Sequence, residues 1–150
     1  MHNINNMFSS ILTEYVHSIS KTRKGLRILI VDNLVIQQLA FLEITKHYLP
    51  ESIAHAVDRV ELEAQLKLNR ESEYDLVILD EWFLFEEPNV YYISRVRRRF
   101  PRAKIALFID RENLYRLHFT RQLNDIDTIL AKCSTVEAIA EKLCLIFQES

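Results

Sequence analysis

Two short apolar runs constrain this chain more than anything else in it. Leu26-Arg27-Ile28-Leu29-Ile30-Val31 ends in Asp32, and Tyr74-Asp75-Leu76-Val77-Ile78-Leu79 ends in Asp80. Runs this short, unbroken and aliphatic suit strands covered on both faces, which means parallel strands in an α/β sheet. Ligands in such sheets bind beyond the carboxyl ends of the strands. Two strands that both stop at an aspartate therefore predict one acidic pocket.

The rest of the chain alternates around those runs. Leu34, Ile36, Leu39, Ala40, Leu42, Ile44 and Tyr48 fit a helix that stops at Pro50. Residues 52–57 read as a weaker strand, and Val60 to Leu68 lie in a second helix closed by a Ser72-Glu73 turn. Residues 81–90, with Trp82-Phe83-Leu84-Phe85 at their centre, read as a bulky loop that either folds back over the pocket or forms an exposed contact patch. A helix from about Val90 to Phe100 leads to Pro101, a strand to Ala103–Ile109, a helix to Glu112–Leu123, and a strand to Asp125–Ala131. Ser134-Thr135 with Glu137 reads as the start of a last helix, with Val136, Ile139, Ala140, Leu143, Ile146 and Phe147 on its apolar face. Five strand–helix repeats with short links require right-handed crossovers and a parallel sheet.

Residues 1–25 stand apart as an N-terminal helix and connector, with 26–150 as the main domain. Met7, Phe8, Ile11, Leu12, Tyr15, Val16 and Ile19 recur at helical spacing, so this segment packs on its own domain or offers a stripe to a partner or second subunit. Disorder is the third reading.

Composition excludes several functions. The chain has 150 residues, 49% of them hydrophobic, and a net charge of -2, a balance that asks for neither nucleic acid nor a membrane. No secretory leader or apolar span is expected, and two cysteines, Cys133 and Cys144, form no disulfide framework, so a cytoplasmic setting is the default. There is one glycine, Gly25, which rules out both the dinucleotide fingerprint and the P-loop. It rules out GxSxG as well, and the five histidines show no ligand or phosphotransfer spacing. We expect no enzyme.

The residues with chemistry are Asp32, Asn33 and Asp80 at strand ends, with Lys132 after the last strand. Gathered carboxylates repel and favour a hard cation such as magnesium, which takes oxygen ligands and keeps several waters. A lysine beside them suits an incoming phosphoryl group. The plainer reading is that each aspartate caps the turn that follows it.

Order and spacing add a resemblance. Ile28-Leu29-Ile30-Val31-Asp32-Asn33, Tyr74 to Asp80, Pro101-Arg102-Ala103-Lys104-Ile105-Ala106-Leu107-Phe108 and Asp127-Thr128-Ile129-Leu130-Ala131-Lys132 resemble the receiver domains of bacterial two-component response regulators, over about residues 26–148. The resemblance implies a flavodoxin-like, doubly wound (βα)5 fold with sheet order 2-1-3-4-5. It makes Asp80 the phosphoacceptor for a histidine kinase, Asp32 a metal-site acid and Lys132 the lysine on the phosphoryl group. Magnesium would then sit on Asp32, Asn33 and Asp80. The family's usual partner face maps to Leu114, Leu117, His118, Arg121, Ile139 and Leu143, with a kinase, another regulator or a second copy as the partner and a homodimer as the expected state.

The chain departs from that pattern at four places. Asn33 stands where the family has a second acid, and losing that charge weakens a magnesium site. Ile109 replaces a hydroxyl residue at the end of the fourth strand, and Ile129 replaces the switch aromatic. Trp82 to Phe85 replace the usual Met-Pro and Gly turn. Without hydroxyl and aromatic, phosphorylation has nothing to pull and no rotamer to switch. The expectation is an atypical, or pseudo-, receiver acting in signalling or transcriptional regulation. A working magnesium-dependent phosphoacceptor is the alternative, and a small-molecule binder comes third.

The cluster Arg95, Arg97, Arg98, Arg99, Arg102 and Lys104 lies around a helix C-terminus, where the macrodipole favours cations. A partner surface is the second reading, and nucleic-acid contact the least favoured.

Overall fold

A computed structural model describes residues 25–68, 73–85, 91–117 and 124–148. The expected N-terminal helix therefore falls outside the described residues. Five strands form one parallel sheet in the order β2-β1-β3-β4-β5: β1 (Arg27–Val31), β2 (Ile53–Val57), β3 (Leu76–Asp80), β4 (Lys104–Ile109) and β5 (Thr128–Ala131). This is the expected doubly wound α/β topology.

Alternation along the strands decides which helices cover which face. Ile28 and Ile30 of β1, Leu76 and Ile78 of β3, Ala106 of β4 and Leu130 of β5 share a core with Phe41, Ile44 and Tyr48 of α1 (Val35–Tyr48) and with the last helix, α6 (Val136–Gln148). Leu29, Val31, Val77, Leu79, Ile105, Leu107 and Ile109 point the other way. They meet Leu62 of α2 (Arg59–Lys67) and Ile93 and Val96 of α4 (Tyr92–Arg99). All five residues of β3 are buried, as a central strand requires.

Local chemistry sets the helix ends near the pocket. Asp58 starts α2 with a capping box, accepting from Glu61 N–H at 2.9 Å while Glu61 reaches back to Asp58 N–H. The start of α1 is held by Asp32, whose Oδ1 accepts from Leu34 N–H at 2.9 Å. Thr135 Oγ1 accepts from Ala138 N–H in the first turn of α6, as the Ser134-Thr135 pair suggested.

Two expected elements differ. The loop over 81–90 contains one helical turn, α3 (Trp82–Phe85), with Phe83 and Leu84 buried and Trp82 and Phe85 half-buried against the core. Edge-on ring contacts from Phe83 to Trp82 (4.9 Å) and to Tyr92 (5.1 Å) hold this turn inward, which favours the folded-back reading. The helix expected from Glu112 begins as a 3-10 turn (Arg111–Asn113) followed by a short α5 (Leu114–Leu117), and residues 118–123 fall outside the described residues.

Two members of the arginine cluster tie α4 to its neighbours. Arg95 makes a two-pronged pair with Glu63 at 2.7 Å, joining α4 to α2. Arg97 donates to Asp127 Oδ2 at 2.8 Å and to the Asp125 carbonyl at 2.9 Å, tying α4 to the entry of β5. Among the described residues, no helix is long and apolar enough to cross a membrane.

Candidate functional site

Parallel strands carry their C-terminal residues to one edge of the sheet. There β1 delivers Asp32, β3 delivers Asp80 and Glu81, and β5 delivers Lys132. Asp32 is 2% exposed and Asp80 7%, the only charged side chains among the buried described residues. Burial of two neighbouring carboxylates is costly unless each finds donors or a cation.

Asp80 finds both. Its Oδ1 lies 2.9 Å from Lys132 Nζ, and its Oδ2 accepts from Trp82 N–H at 3.0 Å. Burial opposes the charge on Lys132, but the hydrogen bond to Asp80 and the charges of Asp80, Glu81 and Asp110 outweigh it, so its pKa lies above the ordinary value. Lys132 is placed by its own backbone, whose N–H donates to the Ile109 carbonyl at 2.9 Å.

Asp32 has no such ion pair. Burial pushes its carboxyl up from 3.8 to about 6; the Leu34 N–H opposes this, the charge of Asp80 adds to it and Lys132 opposes it. Its further donor is Gln37, in the first turn of α1. With the amide nitrogen facing the carboxylates, Gln37 donates to Asp32 Oδ1 at 3.1 Å, to Asp32 Oδ2 at 2.5 Å and to Asp80 Oδ1 at 3.2 Å. The opposite orientation would set the amide oxygen against acceptors alone. Gln38 steadies the same turn by donating from Nε2 to the Asp32 carbonyl at 2.6 Å.

Asn33 is turned elsewhere. Its side chain is exposed, and Oδ1 accepts from Arg59 N–H at 2.9 Å, adding a cap to the start of α2. The expected metal set of Asp32, Asn33 and Asp80 is therefore not brought together. Two carboxylates converge, while the amide oxygen points at a helix. In place of Asn33, the pocket holds the Gln37 amide, whose nitrogen, when it faces the carboxylates, donates to them and is no ligand for a cation. With the Gln37 nitrogen turned inward, these residues do not fit a magnesium site.

Glu81 links the pocket to the next crossover. It accepts from Asp110 N–H and, through Oε1, from Asn113 Nδ2 at 3.0 Å, while lying 3.8 Å from Lys132. Where the family places a hydroxyl, Ile109 is fully buried in the apolar layer with Leu107 and Ile105. Ile129 packs half-buried against the same layer.

The expected interaction surface is corrected in part. Leu117 (2% exposed), Ile139 (6%) and Leu143 (1%) belong to the core, because they close the sheet faces. Leu114 packs half-buried, and His118 and Arg121 fall outside the described residues. Large apolar side chains that do remain exposed include Tyr115, Val136 and Leu145, and a run beside the pocket formed by Leu34, Val35, Ile36 and Leu39.

Gln37 and Glu81 were not singled out from the sequence. A glutamine five residues after Asp32, in the first turn of the following helix, reads as one polar residue among several. Its signal is positional: it stands in the helix that begins just after Asp32, at the carboxyl end of the strand.

No family model and no curated protein sequence matches the chain. Solved structures do. A response regulator from Thermotoga maritima superposes with a TM-score of 0.62 at 19% identity, covering 83% of this chain and 98% of that one. The isolated receiver domain of RcsB from Salmonella enterica serovar Typhimurium, solved with the phosphomimetic BeF3-, gives 0.62 at 18% identity, covering 83% and 90%. An orphan response regulator of H. pylori gives 0.60 at 15% identity, covering 83% and 98%. The chain has the receiver-domain fold.

Proposed function

We propose that this chain is an atypical receiver domain that takes part in signalling or transcriptional regulation through protein contacts rather than as an enzyme, and that conventional phosphorylation switching is lost. The observation that carries this reading is Ile109. A receiver transmits phosphorylation by drawing a hydroxyl at the end of β4 toward the new phosphoryl group. Here that position holds an aliphatic side chain, fully buried in the core and without a donor. Ile129 supports the same conclusion, since a half-buried aliphatic residue has no inward and outward ring positions to exchange. Its partner is a histidine kinase, another regulator or a second copy, and a homodimer is the expected working state. One structural neighbour is a histidine kinase in complex with a response regulator.

The test uses a small-molecule phosphodonor and beryllofluoride, with intact mass and backbone amide shifts as readouts. The reading expects no stable phosphoryl adduct on Asp80 and no shifts at Ile109 to Leu117. An adduct accompanied by shifts along that stretch would overturn it.

One observation favours the alternative of a working phosphoacceptor. Lys132 stands 2.9 Å from Asp80, the arrangement that phosphoryl contact would need. An adduct on Asp80 that forms with magnesium but leaves Ile109 to Leu117 unmoved would select a phosphoacceptor without a switch. Sedimentation of the purified chain tests the dimer.

A further inference from the structure

We infer that Gln37 takes the cation's place in the acidic pocket, so that its side-chain amide and the Lys132 ammonium together hold Asp32 and Asp80 and the pocket does not take up magnesium. The inference concerns the same pocket as the proposed loss of switching and rests on that reading only for its biological meaning.

Three observations carry it. The first is convergence. Three oxygens from two carboxylates lie at 2.5, 3.1 and 3.2 Å from one end of the Gln37 amide, which satisfies all of them when that end is the nitrogen. That is how a ligand set gathers around a central ion, and the centre here is a protein atom. The second is size. Magnesium needs oxygens at about 2.0–2.1 Å in octahedral geometry with several waters. A nitrogen at hydrogen-bond distance from the same oxygens stands in that volume, so a cation can enter only after the amide turns over or leaves. The third is the commitment of Asn33. Its oxygen accepts from Arg59 N–H at 2.9 Å, so recruiting it to a metal removes a cap from α2.

Charge compensation agrees with this assignment. Lys132 neutralises Asp80 directly, and Asp32 is left with neutral donors, namely Leu34 N–H and the Gln37 amide. The amide also bridges Asp32 to Asp80, which keeps the two strand ends together without an ion. Gln37 is partly exposed and helical, so alanine at this position preserves the helix while emptying the pocket.

The experiment titrates magnesium, without any phosphodonor, into the full chain and into Gln37→Ala, Asn33→Asp and the double variant. Trp82 reports by fluorescence, because it lies two residues after Asp80 and its backbone N–H donates to that carboxylate, and calorimetry gives an independent readout. The wild type is expected to stay flat through the millimolar range. Gln37→Ala should gain saturable binding at least tenfold tighter than any wild-type response, and the double variant should be tighter still. Circular dichroism confirms folding, and Gln37→Ser serves if alanine perturbs it.

Saturable millimolar binding by the wild type would overturn the inference. So would recovery by Asn33→Asp alone with nothing added by Gln37→Ala, since the lost charge and not the amide would then exclude the ion. These outcomes are separable from failure of the functional reading, which is scored by phosphoryl adducts and shifts at Ile109 to Leu117.

Discussion

On one side of the pocket, β3 and β5 bring Asp80 and Lys132 together at 2.9 Å; on the other, β1 ends in Asp32 and Asn33, which part company. Both sides begin from the same element, an aliphatic strand that stops at a polar residue. The first side keeps the geometry that the resemblance implies. The second sends one residue inward to brace the turn before its own helix and the other outward to cap α2, and Gln37 fills the gap. The difference teaches that a strand end supplies position, while the partners waiting at that position decide its chemistry.

Removing the cation from the first side should have the largest effect. Lys132→Ala leaves Asp80 beside Asp32 and Glu81 with its close cation gone, and we expect a loss of about 2–4 kcal/mol in urea unfolding. A loss below about 0.5 kcal/mol would mean that the first side is held by its backbone and not by the ion pair.

On the second side the sign reverses. The Asp32 carboxyl is raised from 3.8 to about 6, so the folded chain retains a proton that the unfolded chain releases. This group's contribution is full below about pH 4 and is lost as pH climbs through 6. Asp32→Asn should therefore stabilise the fold at pH 7 by about 2–3 kcal/mol, and the fall in wild-type stability between pH 4 and 6 should flatten in the variant. Urea midpoints across that range decide it. A destabilised variant at pH 7 would show that the ionised Asp32 is needed to hold Leu34 and Gln37.

Asn33 comes next. Asn33→Ala should cost about 1 kcal/mol through the lost cap on α2. Amide exchange at Arg59 should quicken in that variant while Trp82 is unaffected. A change at Trp82 would mean that the two sides are coupled.

The smallest effect is a control away from the pocket. Glu63→Gln breaks a part-exposed pair with Arg95 and should cost less than about 1 kcal/mol. Arg95 lowers the Glu63 pKa, so this contribution is present above the ordinary value of 4.5 and fades as pH falls through the folded value. That is opposite in sense to Asp32, and double-mutant cycles at pH 5 and 7 would separate them.

The sheet was legible because its signal is redundant. The two runs that end in Asp32 and Asp80 and the strand ending at Ile109 carry the near-continuous burial of central parallel strands, and the edge strand before Lys132 is marked by its place in the alternation. The helix from Glu112 was less so. Its polar start and apolar spacing suit a helix, yet Glu81 reaches across from β3 to Asp110 and Asn113 and tightens the start into a 3-10 turn. That is a tertiary contact, invisible to local periodicity. Leu117, Ile139 and Leu143 were expected at a surface because the resemblance places a partner face on those helices, and it does not say which residues of each helix turn toward the sheet. Asp80 and Lys132 were found by position. Gln37 was not, because a glutamine in a helix announces nothing until the strand ends around it are placed in space.

The two cysteines sit in opposite surroundings. Cys144 is buried in α6, and burial pushes its thiol up to about 12, whereas Cys133 is exposed beside Lys132. A thiol-directed reagent at neutral pH should therefore label one position only, next to the pocket. The unmodified chain thus carries its own attachment point for a spin label or fluorophore, at the spot where binding by a partner or an ion would be felt first.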